Sequence, residues 1–559
     1  MIVRLSQVRR CDGICDSFSE GDVWIVDGWI AAAPPPGRAI DAEYRLPGHV
    51  VMPGGIDIHT HIGGGKVNLA RLLLPGRATV DRQRSLSDSK PWLEPLSCPV
   101  PNTWETGRRY LQMGYTTCFE PAMLPAGARQ AHAEMKDIPW LDTGGYVLLG
   151  NERMLLQWIA DEVPQSQITD YVAWMIRSHA ACAVKVVNAG GIDAFKFNQR
   201  HMDVDETHPV YGVTPRKVLQ VLSQAVTELG LAHPLHVHCS NLGVPGNIRS
   251  TLATIDAVEG RRLHLAHAQY HCYGAEGPHG FSSGAHLLAD CVNASDRLTL
   301  DVGQVLFGQT ITLSADTMHQ FEHRHLATPR KVVFQDLECQ AGCGALPFRY
   351  RQSQYVHSLQ WTIGLELFLR IHDPRKVFLT TDHPNGGPFT GYPHLIRLLM
   401  DYDFRMSIFE QLHPDVKRSS PLPELKREYS LDEIAVITRS GPAAALGLSD
   451  RGTLTPGSVA DLAIYRLDSD AQAMFSLPSR VFRRGELVYR DGEFTSDCRK
   501  SIVVARMVDP DRAEHWGSMD SHRALWIERY GYSPTRTAIR REELLGENQT
   551  VEENEPFLP

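Results

Sequence analysis

Eight short apolar runs alternate with helix-like stretches between residues 49 and 383. They span residues 49–59, 116–122, 146–151, 183–188, 235–240, 263–269, 298–303 and 377–383. Strand-like runs that alternate with helices predict a parallel sheet, and eight such units predict an α/β fold, a (βα)8 TIM-like barrel. Polar residues stand at the carboxyl end of each run. That end of a barrel carries the functional loops, so we expect the site to lie there.

The two ends of the chain carry a different pattern. Residues 23–30 alternate between apolar and polar side chains around an Asp-Gly turn, and similar stretches return at 460–465 and 488–492. This pattern predicts short antiparallel strands, which we expect to form a small β-sandwich from the N- and C-terminal segments. The predicted organisation is the first sandwich segment at 1–50, the barrel at 51–440, the second sandwich segment at 441–498 and a C-terminal extension at 499–559. The extension is interpreted either as a contact with another subunit or as surface helix.

Composition argues against several classes of protein. The net charge of −9 does not favour non-specific nucleic-acid binding. No apolar run reaches the roughly 18 residues of a membrane-spanning helix, and the N-terminus lacks the apolar core of a signal peptide, so a cytoplasmic protein is predicted. The eleven cysteines are predicted to be reduced. Neither Cys11/Cys15 nor Cys339/Cys343 has a second pair nearby, so no structural zinc site is predicted.

The first run ends in His59-Thr60-His61. Residues two apart in a strand point to the same face, so both imidazoles can reach one metal ion. Two structural histidines are the alternative interpretation of such a pair. Further potential ligands at the ends of other runs favour the metal.

Lys185 lies inside the fourth run, where a charged amine is costly unless it is paired or neutralised. Reaction of the neutral amine with CO2 would give a carbamate, and the two carbamate oxygens can bridge two metal ions. A low-dielectric site favours the neutral amine that this reaction needs. A lysine paired with a carboxylate at the barrel mouth is the alternative, and this strand alone leaves both open.

The remaining potential ligands also follow predicted strands. The fifth run contains His236 and His238, the sixth contains His264 and His267, and the eighth ends at Asp382 and the histidine after it. Ligand-type residues therefore end strands one, four, five, six and eight. A single strand-end histidine is usually structural, but this ordered set is typical of a metal site.

This order, with the flanking segments 51–57 and 452–462, resembles the two-metal, carboxylated-lysine branch of the amidohydrolase superfamily. The resemblance implies six metal ligands: His59, His61 and Asp382 for one ion, His238 and His267 for the other, and Lys185, as N6-carboxylysine, between them. His238 is preferred over His236 for its spacing to the Cys-Ser-Asn that follows, and His267 over His264 because it stands at the strand end. Nitrogen and oxygen ligands favour two divalent ions, Zn²⁺ first, with Mn²⁺ or Fe²⁺ as alternatives. Such ions lower the pKa of a shared water, and Asp382 would carry the proton to the leaving amine.

Longer segments resemble one family, which comprises the A subunits of formylmethanofuran dehydrogenases and of bacterial formyltransferase/hydrolase complexes. They include DIHTHI at 57–62, KVVNAGG at 185–191, HCSNLGVPGN at 238–247, DVGQV at 301–305 and TDHPNGGPF at 381–389. The resemblance implies one of two directions: archaeal members condense formate with methanofuran, whereas bacterial ones hydrolyse formylmethanofuran to formate and the amine. The 45 Arg against 11 Lys suit a GC-rich bacterial genome, so hydrolysis is preferred. The resemblance to this family also implies a hetero-oligomer with a formyltransferase and other subunits.

The same resemblance implies a formamide substrate on a long, acidic methanofuran-type coenzyme. Residues just past the strands would line a narrow pocket for the formamide: Asn188, Asn241, Gln269, His271 and Asn385. Lys66, Asn68 and Arg71, after the glycines at 63–65, are the candidates for the acidic tail. Turn, supporting or solvated positions are the alternative interpretation of each.

Two rival functions remain at this point. A cyclic-amide hydrolase, such as a dihydroorotase or hydantoinase, has the same ligand set but lacks the long motifs. A degenerate, metal-free barrel that serves as a scaffold belongs to a different class. All six ligand positions are filled here, which argues against the scaffold.

Overall fold

The computed structural model describes residues 1–14, 19–74, 99–195, 197, 199, 202–277, 279–314, 335–337, 343–495 and 498–558. Cys15 and Cys339 therefore lie outside the described residues, as do parts of two long stretches, 62–105 after the first apolar run and 304–376 after the seventh. The seven cysteines with described side chains are free thiols: Cys11, Cys118, Cys182, Cys239, Cys272, Cys291 and Cys498. None of the described helices is long and apolar enough to cross a bilayer.

Eight parallel strands form the predicted barrel, and we number them barrel strands one to eight. They are Gly55–Asp57, Tyr115–Met123, Asp142–Leu149, Ala183–Val187, Leu235–His238, Leu263–Leu265, Leu298–Asp301 and Val377–Phe378. Each pairs with its sequential neighbour, and an isolated bridge between Thr60 and His383 joins the ends of strands one and eight. The fold class is thereby confirmed. Strand eight is shorter than its apolar run, because the chain beyond Phe378 leaves the sheet to form the mouth.

Helices surround the barrel and follow its strands. Those before the C-terminal extension are Gly65–Leu73, Thr103–Leu111, Ala128–Asp137, Arg153–Ala160, Gln165–Ser178, Gly191–Phe195, Pro215–Glu228, Ile248–Ala257, Ala285–Asn293, Tyr355–Arg370, Tyr392–Met400, Tyr402–Phe409, Pro414–Ser419, Leu431–Ala435, Gly441–Ala445 and Ala471–Ser476. Pro215–Glu228 shows why they form. The Thr214 hydroxyl accepts a hydrogen bond from the Lys217 backbone N–H at 3.3 Å, and Pro215 begins the helix with a favourable φ. Its apolar residues recur at helical spacing and are buried against the barrel.

The chain ends pair with each other as expected. One nine-stranded sheet contains Ile2–Arg10, Ser19–Val26, Trp29–Ala31, Ala42–Arg45, His49–Pro53, Leu462–Arg466, Arg480–Arg483, Glu486–Arg490 and Glu493–Phe494. The link between the two ends is the antiparallel pairing of His49–Pro53 with Leu462–Arg466. Because His49–Pro53 runs directly into barrel strand one, this sheet fixes the entry to the site. The exact domain boundaries stay predictions.

The connection between barrel strands seven and eight contains its own sheet. Gly308–Ser314 and Gln335–Leu337 both pair antiparallel with Cys343–Tyr350. Tyr273–Gly274 and Ser282–Ser283 form a smaller hairpin after strand six. These strands stand on the loops beyond the barrel strands, so they build up the mouth.

The C-terminal extension continues the barrel sheet. Lys500–Val504 pairs in parallel with barrel strand three at Thr143 and Gly144, and Gln549–Glu553 pairs with Lys500–Val504. The helices Asp511–Ser518, Asp520–Tyr530 and Arg541–Leu544 lie between these two strands. Trp516 is fully buried and packs against Trp174 of the helix Gln165–Ser178, with 4.3 Å between the ring centroids. The extension is therefore an integral component of the fold.

A buried network of charges joins barrel, terminal sheet and extension. Arg451 donates to Asp142 of barrel strand three at 2.6 Å and to Glu552 of the last strand at 2.6 Å. Arg483 of the terminal sheet forms ion pairs with Asp142, at 2.7 Å, and with Asp461. A charge buried without a partner is strongly destabilising, so these three regions of the chain depend on one another.

Glu366 offers a test of stability away from the site. Its carboxylate is buried and accepts hydrogen bonds from Ser283 at 2.8 Å and Ser420 at 3.2 Å. Burial raises the pKa of Glu366 from 4.5 to about 7. The folded protein thus keeps a proton that the unfolded chain releases, and the free energy of unfolding falls as pH rises through this window.

We therefore expect Glu366→Gln to stabilise the protein above about pH 7, by at most about 3 kcal/mol, and to be nearly neutral below about pH 4.5. Thermal unfolding of both proteins across this pH range is the measurement. Equal differences in melting temperature at both ends of the range would contradict the prediction.

Candidate metal centre

The two histidines of the H-x-H motif converge on Asp382. His59 Nε2 lies 3.1 Å and His61 Nε2 lies 3.3 Å from Asp382 Oδ1. All three side chains are buried at the carboxyl ends of barrel strands one and eight. Burial alone would raise the pKa of Asp382, but His267, His59 and His61 hold it well below its usual range. The group thus offers two imidazoles and one carboxylate to a single point.

The opposite ring nitrogens of these histidines are held by two other buried carboxylates. His59 Nδ1 lies 3.1 Å from Asp301 Oδ2, and His61 Nδ1 lies 3.0 Å from Glu120 Oε1. Burial alone would raise the pKa of Glu120, but His61 and the backbone N–H groups of Ile62 and Gly63 lower it below its ordinary value. A carboxylate on Nδ1 fixes the tautomer that leaves Nε2 free to bind a metal. The sequence interpretation assigned no role to Asp301 or Glu120, although both are acids at the ends of apolar runs.

Lys185 reaches the same point from barrel strand four. Its side chain is buried, and Nζ lies 3.2 Å from His59 Nε2. Burial lowers the pKa of Lys185 to about 8, and the charge of Lys66 acts in the same direction, while Asp382 and Asp301 oppose it. The amine therefore lies where a carbamate would have to lie, in surroundings that favour its neutral, reactive form.

A second group of potential ligands lies beside the first. His238, His267 and His271 bring one ring nitrogen each within 4.8 Å of one another. The rings of His59 and His267 are 5.2 Å apart, which places the two groups side by side. Burial lowers the pKa of His238 and His267 well below the ordinary value, so both are in the neutral form that binds metals. His267 Nδ1 is buried and has no hydrogen-bond partner among the described residues.

His236 and His264 lie one layer deeper in the barrel. His236 Nε2 is 3.0 Å from His59 Nδ1, and its Nδ1 is 3.0 Å from His233 Nε2. His264 contacts Asp301 with Nε2 at 3.2 Å and the hydroxyl of the neighbouring Thr299 with Nδ1 at 2.8 Å. Both nitrogens of each ring are thus engaged inside the protein. This supports the choice of His238 and His267 as ligands, which stays a prediction.

Several of these side chains belong to residues with a left-handed backbone conformation. His267 and Asp382 have φ of 34° and 47°, and Asn188 and Asn241 have φ of 43° and 63°. Non-glycine residues rarely adopt such values, and they cluster at functional sites. Gly303 makes room for this arrangement, since a Cβ at that position would lie 2.4 Å from the Cβ of His267.

The three candidates for binding the coenzyme tail differ in their contacts within the protein. Arg71 pairs with Glu134 at 3.0 Å and donates to the Ile62 carbonyl oxygen at 2.9 Å. Asn68 donates to the same Glu134 carboxylate. Both residues thus secure the glycine-rich loop above the site. Lys66, at the start of the same helix, is half-buried and has no partner for its ammonium among the described residues.

The candidates for the formamide pocket lie around the mouth. Asn241 donates to Ser250 at 2.9 Å, and Asn385 accepts from the Leu313 backbone N–H at 2.5 Å. The His271 ring lies 4.8 Å from that of His238. Asn188 and Gln269 are buried at the ends of barrel strands four and six. The structure thus brings these side chains to one end of the barrel, and their contacts with a substrate stay predictions.

The donor set fits a pair of divalent ions. Five potential imidazole or carboxylate ligands and one lysine lie close together, and carboxylates orient the imidazoles of the first group. Described thiols contribute nothing to these groups, which matches the nitrogen and oxygen preference of zinc and its neighbours.

Comparison with known proteins defines the class. A family model described as Amidohydrolase family matches residues 38–495, which include most of the terminal sheet and the whole barrel. The chain therefore belongs to the amidohydrolase family, and it is a hydrolase by class.

Curated relatives narrow the resemblance. The chain is 44% identical over 498 residues to the A subunit of the formyltransferase/hydrolase complex Fhc of Methylorubrum extorquens, with 88% of this chain and 89% of the relative covered. It is 36% identical over 496 residues to protein FwdA of Methanocaldococcus jannaschii, with 85% and 86% covered. These relatives confirm the resemblance that the long motifs indicated.

A solved structure matches nearly the whole chain. It is the crystal structure of the formyltransferase/hydrolase complex FhcABCD from Methylorubrum extorquens in complex with methylofuran. The match has a TM-score of 0.89 and 41% identity, and it covers 99% of both chains. The C-terminal extension is therefore included in the similarity.

Proposed function

We propose that this protein hydrolyses an N-formylated methanofuran-type coenzyme to formate and the free amine, as the hydrolytic subunit of a formyltransferase/hydrolase complex. The observation that carries the proposal is the similarity along almost the whole chain to one chain of such a complex, described with methylofuran bound. The site supports it, because its ligand-type residues are those of amide hydrolysis and lie at the mouth of the barrel.

Six residues would hold two divalent ions, for which Zn²⁺ is proposed: His59, His61, Lys185 as the carbamate, His238, His267 and Asp382. When bound, such ions polarise a carbonyl oxygen and lower the pKa of a water toward neutrality. The protein's own contribution is a fixed and buried set of ligands, with His59 and His61 held by hydrogen bonds to Asp301 and Glu120.

Asp382 is the proposed proton carrier. Its carboxylate oxygen Oδ1 lies 3.1 Å from His59 Nε2 and 3.3 Å from His61 Nε2, and its low pKa keeps it ionised, with an oxygen that can receive a proton. It would take a proton from the attacking water and pass it to the leaving nitrogen, as the C–N bond of the formamide breaks. Formic acid and the amine are then the products, so atoms balance with one water consumed.

Lys66 is the proposed contact for the acidic region of the coenzyme, because its ammonium has no partner among the residues that the structure describes. Asn68 and Arg71 would act with it by holding the loop, as their contacts with Glu134 indicate. A second set of five residues is proposed for the formamide end: Asn188, Asn241, Gln269, His271 and Asn385.

The decisive experiment uses the complex isolated from its own cells. The N-formyl derivative of the cells' own methanofuran-type coenzyme is the substrate, and formate release is measured. Native mass analysis of the same sample identifies the associated subunits. Complexes carrying Lys185→Ala and Glu366→Gln serve as a loss-of-ligand variant and a matched buried control. We expect release by the native complex and by Glu366→Gln, and a large loss with Lys185→Ala.

Two results would overturn the proposal. Hydrolysis of a cyclic amide without release of formate would assign the site to the dihydroorotase or hydantoinase type. Full activity in a monomer or homo-oligomer that contains no transferase would reject the complex. Net consumption of formate at physiological concentrations would instead reverse the direction, as proposed for archaeal relatives.

A further inference from the structure

Asp301 occupies a central place beneath the candidate ligands. It ends barrel strand seven, and its side chain is fully buried. Each carboxylate oxygen accepts two hydrogen bonds. Oδ2 lies 3.1 Å from His59 Nδ1 and 3.2 Å from His264 Nε2. Oδ1 accepts from the His267 backbone N–H at 3.1 Å and from the Thr380 hydroxyl at 2.7 Å.

These four donors come from three other places in the barrel wall. His59 ends strand one, His264 and His267 belong to strand six and its end, and Thr380 stands two residues before Asp382. An ionised carboxylate accepts hydrogen bonds at about four positions, so this one is saturated. Burying such a group is costly unless every position is satisfied. The arrangement is stable only when the strands that bear the metal ligands are correctly placed.

The backbone contact with His267 has a specific effect. His267 has φ 34° and ψ 53°, a left-handed conformation that is unfavourable for a residue with a side chain. The hydrogen bond to Asp301 Oδ1 stabilises this turn, and the imidazole of His267 lies beside that of His238, with 4.6 Å between the ring centroids. Asp382 also has a left-handed backbone, with φ 47°, and Thr380 ties its strand to the same oxygen.

We infer that Asp301 is a positioning residue for both halves of the metal centre. It holds the ring of His59 in one half and the backbone of His267 in the other. This inference rests on the proposed two-metal site. It assigns Asp301 no contact with substrate and no transfer of protons. Its effect reaches the reaction only through the placement of ligands.

Glu120 provides the natural contrast. It accepts hydrogen bonds from His61 Nδ1 at 3.0 Å and from the backbone N–H groups of Ile62 and Gly63 at 2.7 and 3.1 Å. Those donors all belong to the end of strand one. Glu120 therefore supports the first half of the centre alone, whereas Asp301 supports both halves.

The test compares Asp301→Asn, Glu120→Gln and the buried control Glu366→Gln in the full complex. Asparagine keeps the size of the side chain, but it turns one acceptor into a donor that clashes with the N–H and O–H groups around it. Metal content after dialysis and the rate of release to a chelator are measured, together with thermal unfolding. Outer carboxylates of this kind contribute about 10- to 100-fold in metal affinity.

We expect Asp301→Asn to weaken both ions by about 10- to 100-fold, Glu120→Gln to weaken one, and Glu366→Gln to weaken neither. Cobalt-substituted protein adds a spectroscopic readout, since a change of ligand geometry alters the absorption of Co²⁺ in the folded variant. Wild-type retention of both ions in Asp301→Asn, or loss of one ion alone, would overturn the inference.

Thr380→Val keeps the test decisive if Asp301→Asn fails to fold. This variant preserves the shape of the side chain and removes one donor to Asp301, together with the acceptor of the Gly303 backbone N–H. Faster release of metal than from the wild type supports the inference, and unchanged release overturns it. Metal release is independent of formate release, so an active-site chemistry different from the proposed one would leave this result intact.

Discussion

Replacement of Lys185 by alanine is expected to remove both ions and nearly all hydrolysis. Lys185 Nζ lies 3.2 Å from His59 Nε2 inside a fully buried site, and the proposed carbamate is the only ligand shared by the two halves. Without it, His59 and its partners face the second group of histidines with no bridging anion. Lewis-acid stabilisation contributes several kcal/mol, so the loss of turnover should be about 10³-fold or more.

Metal analysis and formate release together check this expectation. Short carboxylic acids added to Lys185→Ala should restore some of the activity, because a free carboxylate can occupy the space of the carbamate. Lys185→Glu, which carries its own shorter carboxylate, should retain more metal than Lys185→Ala. An unmodified amine in the electron density of a fully metallated, active sample would disprove the carbamate.

Asp382→Asn is expected to lower turnover by about 10²–10⁴-fold even when metal is retained. The asparagine can still offer an oxygen to a metal, but it cannot accept and release a proton. Asp382 lies within 3.1 and 3.3 Å of two ligand nitrogens, so some loss of metal is also expected. Turnover must therefore be expressed per bound ion. Near-normal turnover in a metal-loaded Asp382→Asn protein would remove Asp382 from the role of proton carrier.

The barrel, and the gathering of potential ligands at the ends of its strands, could be predicted from the sequence. Strands are recognised as short apolar runs, and eight such runs separated by helical stretches leave few alternatives to a parallel barrel. His59 and His61 face one side because they are two residues apart, and the structure brings them together with Asp382 as expected. Lys185 was conspicuous because a buried amine is costly.

The supporting carboxylates could not be assigned in the same way. Asp301 and Glu120 stand at strand ends, where an acid is equally compatible with a ligand, a turn or a support. Only the three-dimensional contacts with His59 and His61 separate these roles. The left-handed turn at His267 is also invisible in sequence, because glycine is the residue that normally signals it.

The role of the extension was equally hidden. Residues 500–504 have the composition of a strand, but pairing with barrel strand three depends on a gap in the sheet near Thr143. Barrel strand four pairs with barrel strand three only from Tyr146 onward. The edge of strand three at Thr143 and Gly144 is therefore available to residues 500–504. Long-range pairing of this kind leaves no periodic signal in the chain.

The closing of that gap has a consequence for how the protein is made. The Ser501 backbone N–H donates to Asp142, across 359 residues of chain. Ribosomes add about 5–20 residues per second, so this edge of the barrel waits roughly 20–70 s for its partner strand. During that interval an unpaired strand edge and the buried charge of Asp142 are exposed to solvent and to other nascent chains. The barrel therefore completes its sheet only after residues 500–504 have been made, and until then this edge is available to a holding chaperone.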